Sequence, residues 1–309
     1  MENFEVAKDT YVIDPRFFGI TEFTSVYLLV GDTLALFDSG SPKSAPLILN
    51  GIRSLGYRPE DVTRIIVSHI HFDHGSGAGE LLKYMPRARV YVHPKGKRHL
   101  IDPSRLTRSS FKVFGEMLDE WYGGFAAVQE QRITQVDDGD TIDLGGNREL
   151  RVIATSGHAK HGICLYDPTT GGLFTGDEAG IYFPSGPSII PTTPPPDFDP
   201  DHNIETVKQL KALQPKALFF AHYSATEEVD KTLNSSMEAL ASWKEIVGEC
   251  IRKGLNFDNI VKALRAEAAR ALEPIENKKD MLSWIMDHHI PMCAMGYIHY
   301  FTKKKMPEE

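Results

Sequence analysis

Residues 68–75 read Ser68-His69-Ile70-His71-Phe72-Asp73-His74-Gly75 and directly follow the apolar run Arg64-Ile65-Ile66-Val67. Such a continuous apolar run predicts a buried strand, so the polar stretch is expected where that strand ends. Three imidazoles and a carboxylate crowded there would repel one another, or lack partners, unless a ligand held them. Neutral imidazole nitrogens and carboxylate oxygens are the ligands that Zn²⁺ favours. The stretch therefore predicts a metal site.

The order of residues within this stretch predicts ligands for two ions. In an extended segment alternate side chains point to the same side, so His69 and His71 would face one position. A turn into a helix near Asp73 would bring Asp73 and His74 towards a second, neighbouring position. We therefore expect two divalent metal ions, with Zn²⁺ as the first choice and Fe or Mn as alternatives.

Three further polar residues occur where apolar strands are predicted to end. They are His158 in Ala154-Thr155-Ser156-Gly157-His158, Asp177 in Phe174-Thr175-Gly176-Asp177, and His222 in Phe219-Phe220-Ala221-His222. Each of them alone would be interpreted as an ordinary loop histidine or turn aspartate. Together with residues 68–75 they supply the additional ligands that a pair of metals needs.

In this combination the sequence resembles the metallo-β-lactamase superfamily. Its HxHxDH signature is matched by residues 69–74, and all five family motifs occur in order, at family-like spacing, between about residues 10 and 223. The matching residues are Asp38 (in Leu36-Phe37-Asp38-Ser39-Gly40), His69, His71, Asp73, His74, His158, Asp177 and His222. The resemblance implies an α/β fold, an αβ/βα four-layer sandwich in which two packed β-sheets have helices outside.

The resemblance also implies a role for each matching residue. The ligands implied for one metal are His69, His71 and His158. Those implied for the other metal are Asp73, His74 and His222, with Asp177 bridging the two. Asp38 would not bind metal but would orient the ligand loop, as outer residues do in metal sites generally.

One motif departs from the family pattern. The usual Thr-Pro-Gly-His is Thr155-Ser156-Gly157-His158 here, so the turn should be slightly looser while the ligand is retained. His161 follows three residues later. It would either support the ligands, face the substrate, or serve as a plain loop residue.

Two divalent ions about 3.5–4 Å apart would hold a bridging hydroxide and polarise a carbonyl or phosphoryl oxygen. Asp73 would orient that hydroxide and carry a proton to the leaving group. Tyr223, next to His222, would donate a hydrogen bond to the developing oxyanion or simply pack. Hydrolysis is therefore the predicted reaction, and the resemblance implies an enzyme, a dinuclear metal-dependent hydrolase of thioester, lactone or carboxylic ester bonds.

Other functions stay open at this point. A phosphodiester or phosphotriester hydrolase would use the same fold and metals. An iron-dependent oxygenase or redox protein is a second alternative, although the diiron flavoproteins of the superfamily place a glutamate where His71 stands. A metal-binding regulator with little turnover is a third.

Composition narrows the partners. The chain has 309 residues, 34 Lys and Arg against 42 Asp and Glu, and a formal net charge of -8. Because nucleic-acid binding demands clustered positive charge, we expect a small-molecule substrate and no nucleic acid. Three cysteines without a CxxC pair argue against a disulfide framework and fit a reducing compartment. With no signal-like start and no apolar run of about 18 residues, we expect a cytoplasmic protein without membrane attachment.

The chain is predicted to divide into a catalytic core over residues 1–223 and a helical extension over 224–309. Ser224-Ala225-Thr226-Glu227 is a candidate capping box for the first helix of the extension. Two later helices are expected over 257–272 and 278–302, the second interrupted near Pro291. This layout is similar to thioesterases of the quorum-signal-response and glyoxalase II kinds, and the resemblance to the former implies helices that cover the metal site.

The last of these segments is rich in methionine and aromatic residues. Such side chains at helical spacing are typical of a core or of a dimer interface, so a homodimer formed through the C-terminal helices is expected. If they formed a lid instead, an apolar acyl or aryl substrate would follow. The residues concerned are Trp284, Met286, His288, His289, Met292, Met295, Tyr297 and Tyr300.

Within the core, hydrophobic patterning predicts helices over 45–55 and 201–213. The predicted strands are 25–29, 33–37, 64–67, 89–93, 141–144, 149–154, 163–167, 172–175 and 217–221. The proline-rich segment 183–196 is expected to be a stiff connection at the surface. Because it leaves directly from the turn that carries Asp177, it is equally a candidate wall of a substrate pocket.

Overall fold

The computed structural model describes residues 3–184, 188–276 and 278–305, in which two β-sheets pack face to face. The strands of the first sheet lie in chain order, and they are β1 (Phe4–Ala7), β2 (Thr10–Ile13), β3 (Val26–Val30), β4 (Leu34–Phe37), β5 (Val62–Ile66), β6 (Arg89–Val92) and β7 (Ile133–Gln135). The second sheet has the spatial order β15 (Ala225–Thr226), β14 (Ala217–Phe219), β11 (Gly172–Phe174), β10 (Gly162–Asp167), β9 (Glu149–Thr155) and β8 (Thr141–Asp143). A separate hairpin pairs β12 (Ile181–Phe183) with β13 (Ser188–Ile190).

The helices lie outside the sheets and in the C-terminal part. They are α1 (Ala45–Ser54), α2 (Ala78–Leu81), α3 (Pro94–Ile101), α4 (Ser104–Phe114), α5 (Met117–Tyr122), α6 (Pro200–Ala212), α7 (Val229–Arg252), α8 (Phe257–Leu272), α9 (Lys279–Trp284) and α10 (Ile290–Lys305). A π-helical turn, Ile285–His289, joins the last two. None of the helices in the described ranges combines the length and the apolar character that crossing a membrane would require.

Three apolar clusters create the four layers. Between the sheets, the Phe174 ring lies 5.2 Å from that of Phe37 and 4.7 Å from that of Phe219. On the outer face of the first sheet, α1 buries Ile48 against the sheet. On the outer face of the second, α6 buries Val207 in the same way. Because each sheet is apolar on both faces, both sheets require this covering. The expected αβ/βα four-layer sandwich is confirmed.

The apolar run before the candidate ligands belongs to β5, a strand inside the first sheet. β5 pairs in parallel with β4 and with β6, so it is covered on both faces and flanked on both edges. The register sets Ile66 opposite Phe37, which brings the loop after each strand to the same edge of the sheet. That edge carries Asp38 and residues 68–75.

The helical extension is present, but its first helix begins later than expected. Ala225–Thr226 pairs antiparallel with Leu218 and Phe219 as edge strand β15, and α7 starts only at Val229. Its N-terminal position, Glu228, makes no side-chain capping bond. The capping-box prediction at residues 224–227 is therefore wrong, because strand pairing engages the backbone that a cap would use. The division of the chain at 223/224 and the homodimer stay predictions.

The expected interruption near Pro291 coincides with the π-helical turn, which ends at His289. Helix α10 begins at the next residue, Ile290, and contains Pro291. Proline has no backbone N–H, so the preceding turn loses a hydrogen bond and can widen. The three cysteines Cys164, Cys250 and Cys293 are buried and form no disulfide with one another, which agrees with the argument against a disulfide framework.

The proline-rich segment is not a surface connection. Ile189 to Thr193 are buried, and Ser188–Ile190 forms strand β13. Residues 185–187 of the predicted segment lie outside the described residues. The alternative interpretation, a wall of a pocket, agrees with the structure, as the site geometry below demonstrates.

Candidate metal centre

The candidate ligands meet at one edge of the sandwich, beyond the ends of four strands. Residues 69–74 follow β5, whereas His158, Asp177 and His222 each come three positions after a strand, namely after Thr155 of β9, Phe174 of β11 and Phe219 of β14. Short loops after packed strands hold their side chains in one place, which is the requirement for a metal site. The structure thus brings together all seven residues that the sequence indicated as ligands.

These residues form overlapping groups whose potential ligand atoms lie within 4.8 Å of one another. One group is His69, His71 and His158, a second is His69, His74 and Asp177, and a third is Asp73, His74 and His222.

The Asp177 carboxylate lies between the groups and faces them with different oxygens. Its Oδ2 is 3.8 Å from His69 Nε2 and 3.5 Å from His158 Nε2. Its Oδ1 is 3.3 Å from His74 Nε2 and 3.5 Å from His222 Nε2. A carboxylate held in this way can share its two oxygens between two neighbouring cations.

The donor set fits divalent metal ions. Within the described residues, His69 Nε2, His74 Nε2 and Asp177 Oδ1 are buried and make no hydrogen bond, although buried polar atoms are normally paired. Burial, together with His74 and His71, holds the pKa of His69 well below its usual range. Burial and His158 lower the pKa of His71 to about 3. Both imidazoles are therefore neutral, the form that binds a metal.

His74 has the opposite tendency. Burial would lower its pKa, but the carboxylates of Asp73, Asp177 and Asp38 raise it well above its usual range. Burial would raise the pKa of Asp73, yet His74 and His222 lower it to about 2. In the protein alone the proton on His74 thus balances a buried cluster of negative charge. A divalent cation would satisfy the same charge, and binding it would release that proton.

The other nitrogen of most ligand histidines is held by a partner outside the cluster. Asp38 Oδ2 lies 3.0 Å from His74 Nδ1, and Ser68 Oγ lies 3.0 Å from His69 Nδ1. The backbone carbonyls of Thr192 and Phe23 accept from the Nδ1 atoms of His158 (2.8 Å) and His222 (3.2 Å). Such contacts select the tautomer whose Nε2 faces the metal.

Asp38 has the position that its expected supporting role requires. Its Oδ1 accepts the Ser68 amide (2.7 Å), and its Oδ2 contacts the Ser68 hydroxyl (3.0 Å) in addition to His74. The backbone of Asp38 has a φ of 67°, a conformation that Asp tolerates better than most residues. Its carboxylate therefore links the loop after β4 to the ligand loop after β5.

We expect Asp38→Asn to weaken metal binding by about 10–100-fold, because an amide would set an N–H donor against the Ser68 amide or against His74. Competition with a chromophoric chelator measures the affinity. The matched control is Asp119→Asn, an exposed carboxylate on α5. Equal affinities in the wild type and in both variants would contradict the supporting role of Asp38.

Four of the candidate ligands, His71, Asp73, Asp177 and His222, line a cavity of about 840 Å³. The proline-rich segment contributes Thr192 and residues 194–196 to its wall. The C-terminal helices contribute four side chains, namely Trp284, His288, His289 and Met292. These four were expected in a core or a dimer interface; the structure places them over the site, whereas Tyr297 and Tyr300 are buried within the helical part. The covering implied by the resemblance is present.

His161 also lines the cavity. It is 8% exposed, its ring lies 5.7 Å from the His71 ring, and its Nδ1 accepts a long hydrogen bond from the Ile70 amide (3.4 Å). Burial, with His71 and His158, keeps its pKa well below the usual range. His161 is therefore a buried, neutral side chain of the cavity wall beside His71, and its role stays a prediction.

Tyr223 has a different environment from the expected one. Its side chain packs in the apolar cluster between the sheets, and burial, with Asp14 and Glu22, raises its pKa. It does not occur among the described residues that line the cavity. Its position therefore does not support a role as oxyanion donor. Sequence adjacency to His222 was misleading because consecutive side chains point in different directions.

Sequence reasoning missed Glu178, a buried carboxyl next to Asp177. Its Oε2 accepts from the His158 amide (3.2 Å) and from Asn203 Nδ2 (2.6 Å), and burial raises its pKa to about 7. It connects the loops that carry His158 and Asp177 to helix α6. The sequence does show a second acidic residue after β11. Two acidic residues in a row are equally common in exposed turns, so this pattern alone does not indicate a buried carboxyl group.

Comparisons with known proteins agree with this geometry. The family model described as metallo-beta-lactamase superfamily matches residues 19–222. The metallo-beta-lactamase fold-containing protein ST1585 of Sulfurisphaera tokodaii is 30% identical over 250 residues, which cover 77% of this chain and 89% of that protein. Human acyl-coenzyme A thioesterase MBLAC2 is 28% identical over 178 residues, 53% of this chain and 61% of that protein.

Solved structures extend the comparison to the whole fold. The crystal structure of the archaeal protein ST1585 matches with a TM-score of 0.61 and 28% identity, over 74% of this chain and 84% of that one. The family protein TTHA1429 from Thermus thermophilus matches with a TM-score of 0.70 at 17% identity, and covers 97% of this chain and 95% of that one, so its likeness in fold includes the C-terminal helices. With the signature residues assembled at the edge of the four-layer sandwich, the chain belongs to the metallo-β-lactamase superfamily.

Proposed function

We propose that the protein is a dinuclear metal-dependent hydrolase of ester-type bonds. The observation that carries the proposal is the Asp177 carboxylate, which turns one oxygen to His69 and His158 and the other to His74 and His222. When bound there, two divalent ions would supply Lewis acidity to a carbonyl group and ionise water near neutral pH. We propose Zn²⁺ first, because imidazole and carboxylate ligands suit it.

The chain's own residues would position the reactants. Asp73 is the ligand carboxylate with the most exposure, 18% of its side chain, and it faces the cavity. We propose that it orients the attacking water and transfers the proton to the leaving group. His71 and His161 would form the wall beside it, and Trp284 and Met292 would exclude bulk water from above.

Among ester types, a thioester is our first candidate. The lining of the cavity includes the apolar and aromatic side chains of Phe72, Tyr122, Trp284 and Met292, which suit an acyl group. The similarity to acyl-coenzyme A thioesterase MBLAC2 points to the same bond, although this chain covers 61% of that protein. Lactones and carboxylic esters share the carbonyl chemistry and stay within the proposal.

The test combines metal replacement with a substrate panel. Protein stripped by a chelator and reloaded separately with Zn²⁺, Mn²⁺ or Fe²⁺ is assayed on a thioester, a lactone, an aryl ester and bis(p-nitrophenyl) phosphate. We expect the stripped protein to be inactive and the reloaded protein to regain activity on a carbonyl ester.

Other outcomes would replace the proposal with a named alternative. Turnover of the phosphodiester alone would make the protein a phosphoesterase. Thiol-dependent oxygen consumption by the iron form would make it an oxygenase. Full metal occupancy without turnover of any substrate would favour a metal-binding regulator.

A further inference from the structure

The cavity above the candidate ligands is lined by two chemically different sets of side chains. One set is apolar and includes Trp284 of the C-terminal helices. The other set is positively charged, and helices α3 and α4 and the loop after β9 contribute its four cations. These four, called the cationic cluster below, are Lys95, Arg98, Arg105 and Lys160.

The charge of this cluster is largely uncompensated. Within the part of the chain that the structure describes, no carboxylate oxygen lies within 4.0 Å of the charged nitrogens of Lys95, Arg98 or Arg105, whereas Lys160 Nζ lies 3.7 Å from Asp197 Oδ1. Apart from the ligand carboxylates Asp73 and Asp177, Asp197 is the acidic side chain among the described cavity-lining residues. A surplus of positive charge in a cleft of a chain with net charge -8 predicts an anionic ligand group.

The cluster is connected to the metal centre by neutral histidines. Arg98 Nε donates to His99 Nε2 (3.1 Å), and burial, with Arg98 and Arg105, lowers the pKa of His99. His161 interacts electrostatically with His71 and with His99, and its ring lies 5.7 Å from that of His71. A substrate that lies along this wall would therefore reach from the ligands to the cationic cluster.

We propose that the cationic cluster binds a phosphate-bearing leaving group, so that the substrates are acyl esters or thioesters with a phosphorylated alcohol or thiol part. This proposal rests on the proposed hydrolase function and deepens it. Two guanidinium groups, two ammonium groups and the Ser110 hydroxyl, which also lines the cavity, offer more donors than one carboxylate accepts. They match the several oxygens of phosphate groups, which guanidinium recognises by paired hydrogen bonds.

The reaction then has a defined direction in the cavity. Water adds to the acyl carbon at the metal centre, the bond from that carbon to sulfur or oxygen breaks, and the water proton passes to the leaving atom. The products are a carboxylic acid, whose acyl chain would contact the apolar lining, and a phosphorylated thiol or alcohol at the cationic cluster. Electrostatic attraction would increase the affinity for the anionic part and make it sensitive to salt.

A matched pair of substrates tests the proposal. Hexanoyl-coenzyme A and hexanoyl-N-acetylcysteamine contain the same acyl group and thioester, but only the first carries phosphates. With metal-loaded protein we expect Arg98→Ala/Arg105→Ala to lower kcat/KM for the coenzyme A ester by about tenfold or more, through KM. The rate on the N-acetylcysteamine ester should stay unchanged. The matched control is Arg108→Ala/Lys112→Ala, which removes two exposed cations from α4 outside the described cavity lining.

Equal losses on both substrates, equal losses in both double variants, or no loss would overturn the cationic subsite. If the wild type hydrolyses neither thioester, the thioester part of the proposed function is wrong, and calorimetry with adenosine 3′,5′-bisphosphate decides the subsite separately. Binding by the wild type and by the control, but tenfold weaker binding by Arg98→Ala/Arg105→Ala, would retain the subsite. Equal binding by all three proteins, or no binding, would overturn it.

Discussion

Asp177→Ala is expected to reduce kcat/KM by at least about 10³-fold and to reduce the bound metal at the same time. The Asp177 carboxylate is the group whose two oxygens face both sets of ligand histidines, at 3.3–3.8 Å. Its removal would leave His74 and the neighbouring imidazoles without the charge that holds two cations side by side. Metal content by atomic emission and turnover on the best substrate of the panel measure the two effects.

A second variant separates charge from shape. Asp177→Asn keeps the volume of the side chain but lacks the negative charge, so we expect it also to lower kcat/KM and the bound metal. Circular dichroism should show that the variant is folded. Asp119→Asn serves as the matched control, because that carboxylate is exposed on α5. Two equivalents of metal and full activity in a folded Asp177→Ala or Asp177→Asn protein would refute the bridging role.

Gly296→Ala, on helix α10, is expected to displace the segment around Thr193, which contacts the candidate ligand His158. A Cβ atom at position 296 would clash with the carbonyl oxygen of Thr193 and would lie 2.8 Å from its carbonyl carbon. Backbone cannot turn aside as a flexible side chain can, so helix α10 and the segment around Thr193 would have to separate.

That separation would reach a ligand through two neighbouring contacts. The carbonyl of Thr192 accepts from His158 Nδ1 (2.8 Å), and the carbonyl of Pro191 accepts from His289 Nε2 (2.9 Å). The segment is thus held between α10 and the ligand His158. A displacement of about 1 Å in a catalytic group can cost about 10²-fold in rate, and we expect a loss of that order for Gly296→Ala.

The same variant should lose about 2–3 kcal/mol in the free energy of unfolding, the range for overpacking at a site that cannot relax. Gly248→Ala on α7 is the matched control, because the added Cβ would meet the Phe301 ring at 3.0 Å, a side chain that can shift. Alanine also favours helix over glycine by about 1 kcal/mol, so the control should be near neutral or more stable. Denaturant unfolding and metal titration give both readouts. Equal stability and equal metal affinity in the two variants would contradict the coupling of α10 to His158.

The strand-forming segments differ in how well the sequence predicted them. Strands that bear continuous apolar runs, such as β5, were predicted to within two residues, because a strand buried on both faces has to be apolar along its length. Strands β1, β2, β7, β12, β13 and β15 and helices α2–α5 were missed. The six strands have four residues or fewer, which is too short for a clear hydrophobic period, and their conformation depends on the strands with which they pair.

The error at residues 224–227 has the same origin. Ser224-Ala225-Thr226-Glu227 satisfies a local capping pattern, but the backbone of Ala225 pairs with Phe219. Local hydrogen-bonding preferences are small, and a place at the edge of an existing sheet outweighs them.

From the sequence alone, the seven candidate ligands could be predicted, because imidazoles and carboxylates at the ends of apolar strands are costly without a cation. The four-layer sandwich and the supporting role of Asp38 came from the resemblance of these motifs to the metallo-β-lactamase superfamily. The tertiary structure decided which groups hold the ligands and what they face. These groups come from residues far apart in the chain. They include the carbonyls of Thr192 and Phe23, the backbone beside Gly296 and the cationic cluster of the cavity. A backbone carbonyl is the same in every residue, so only the folded chain distinguishes one that orients a metal ligand from one that does not.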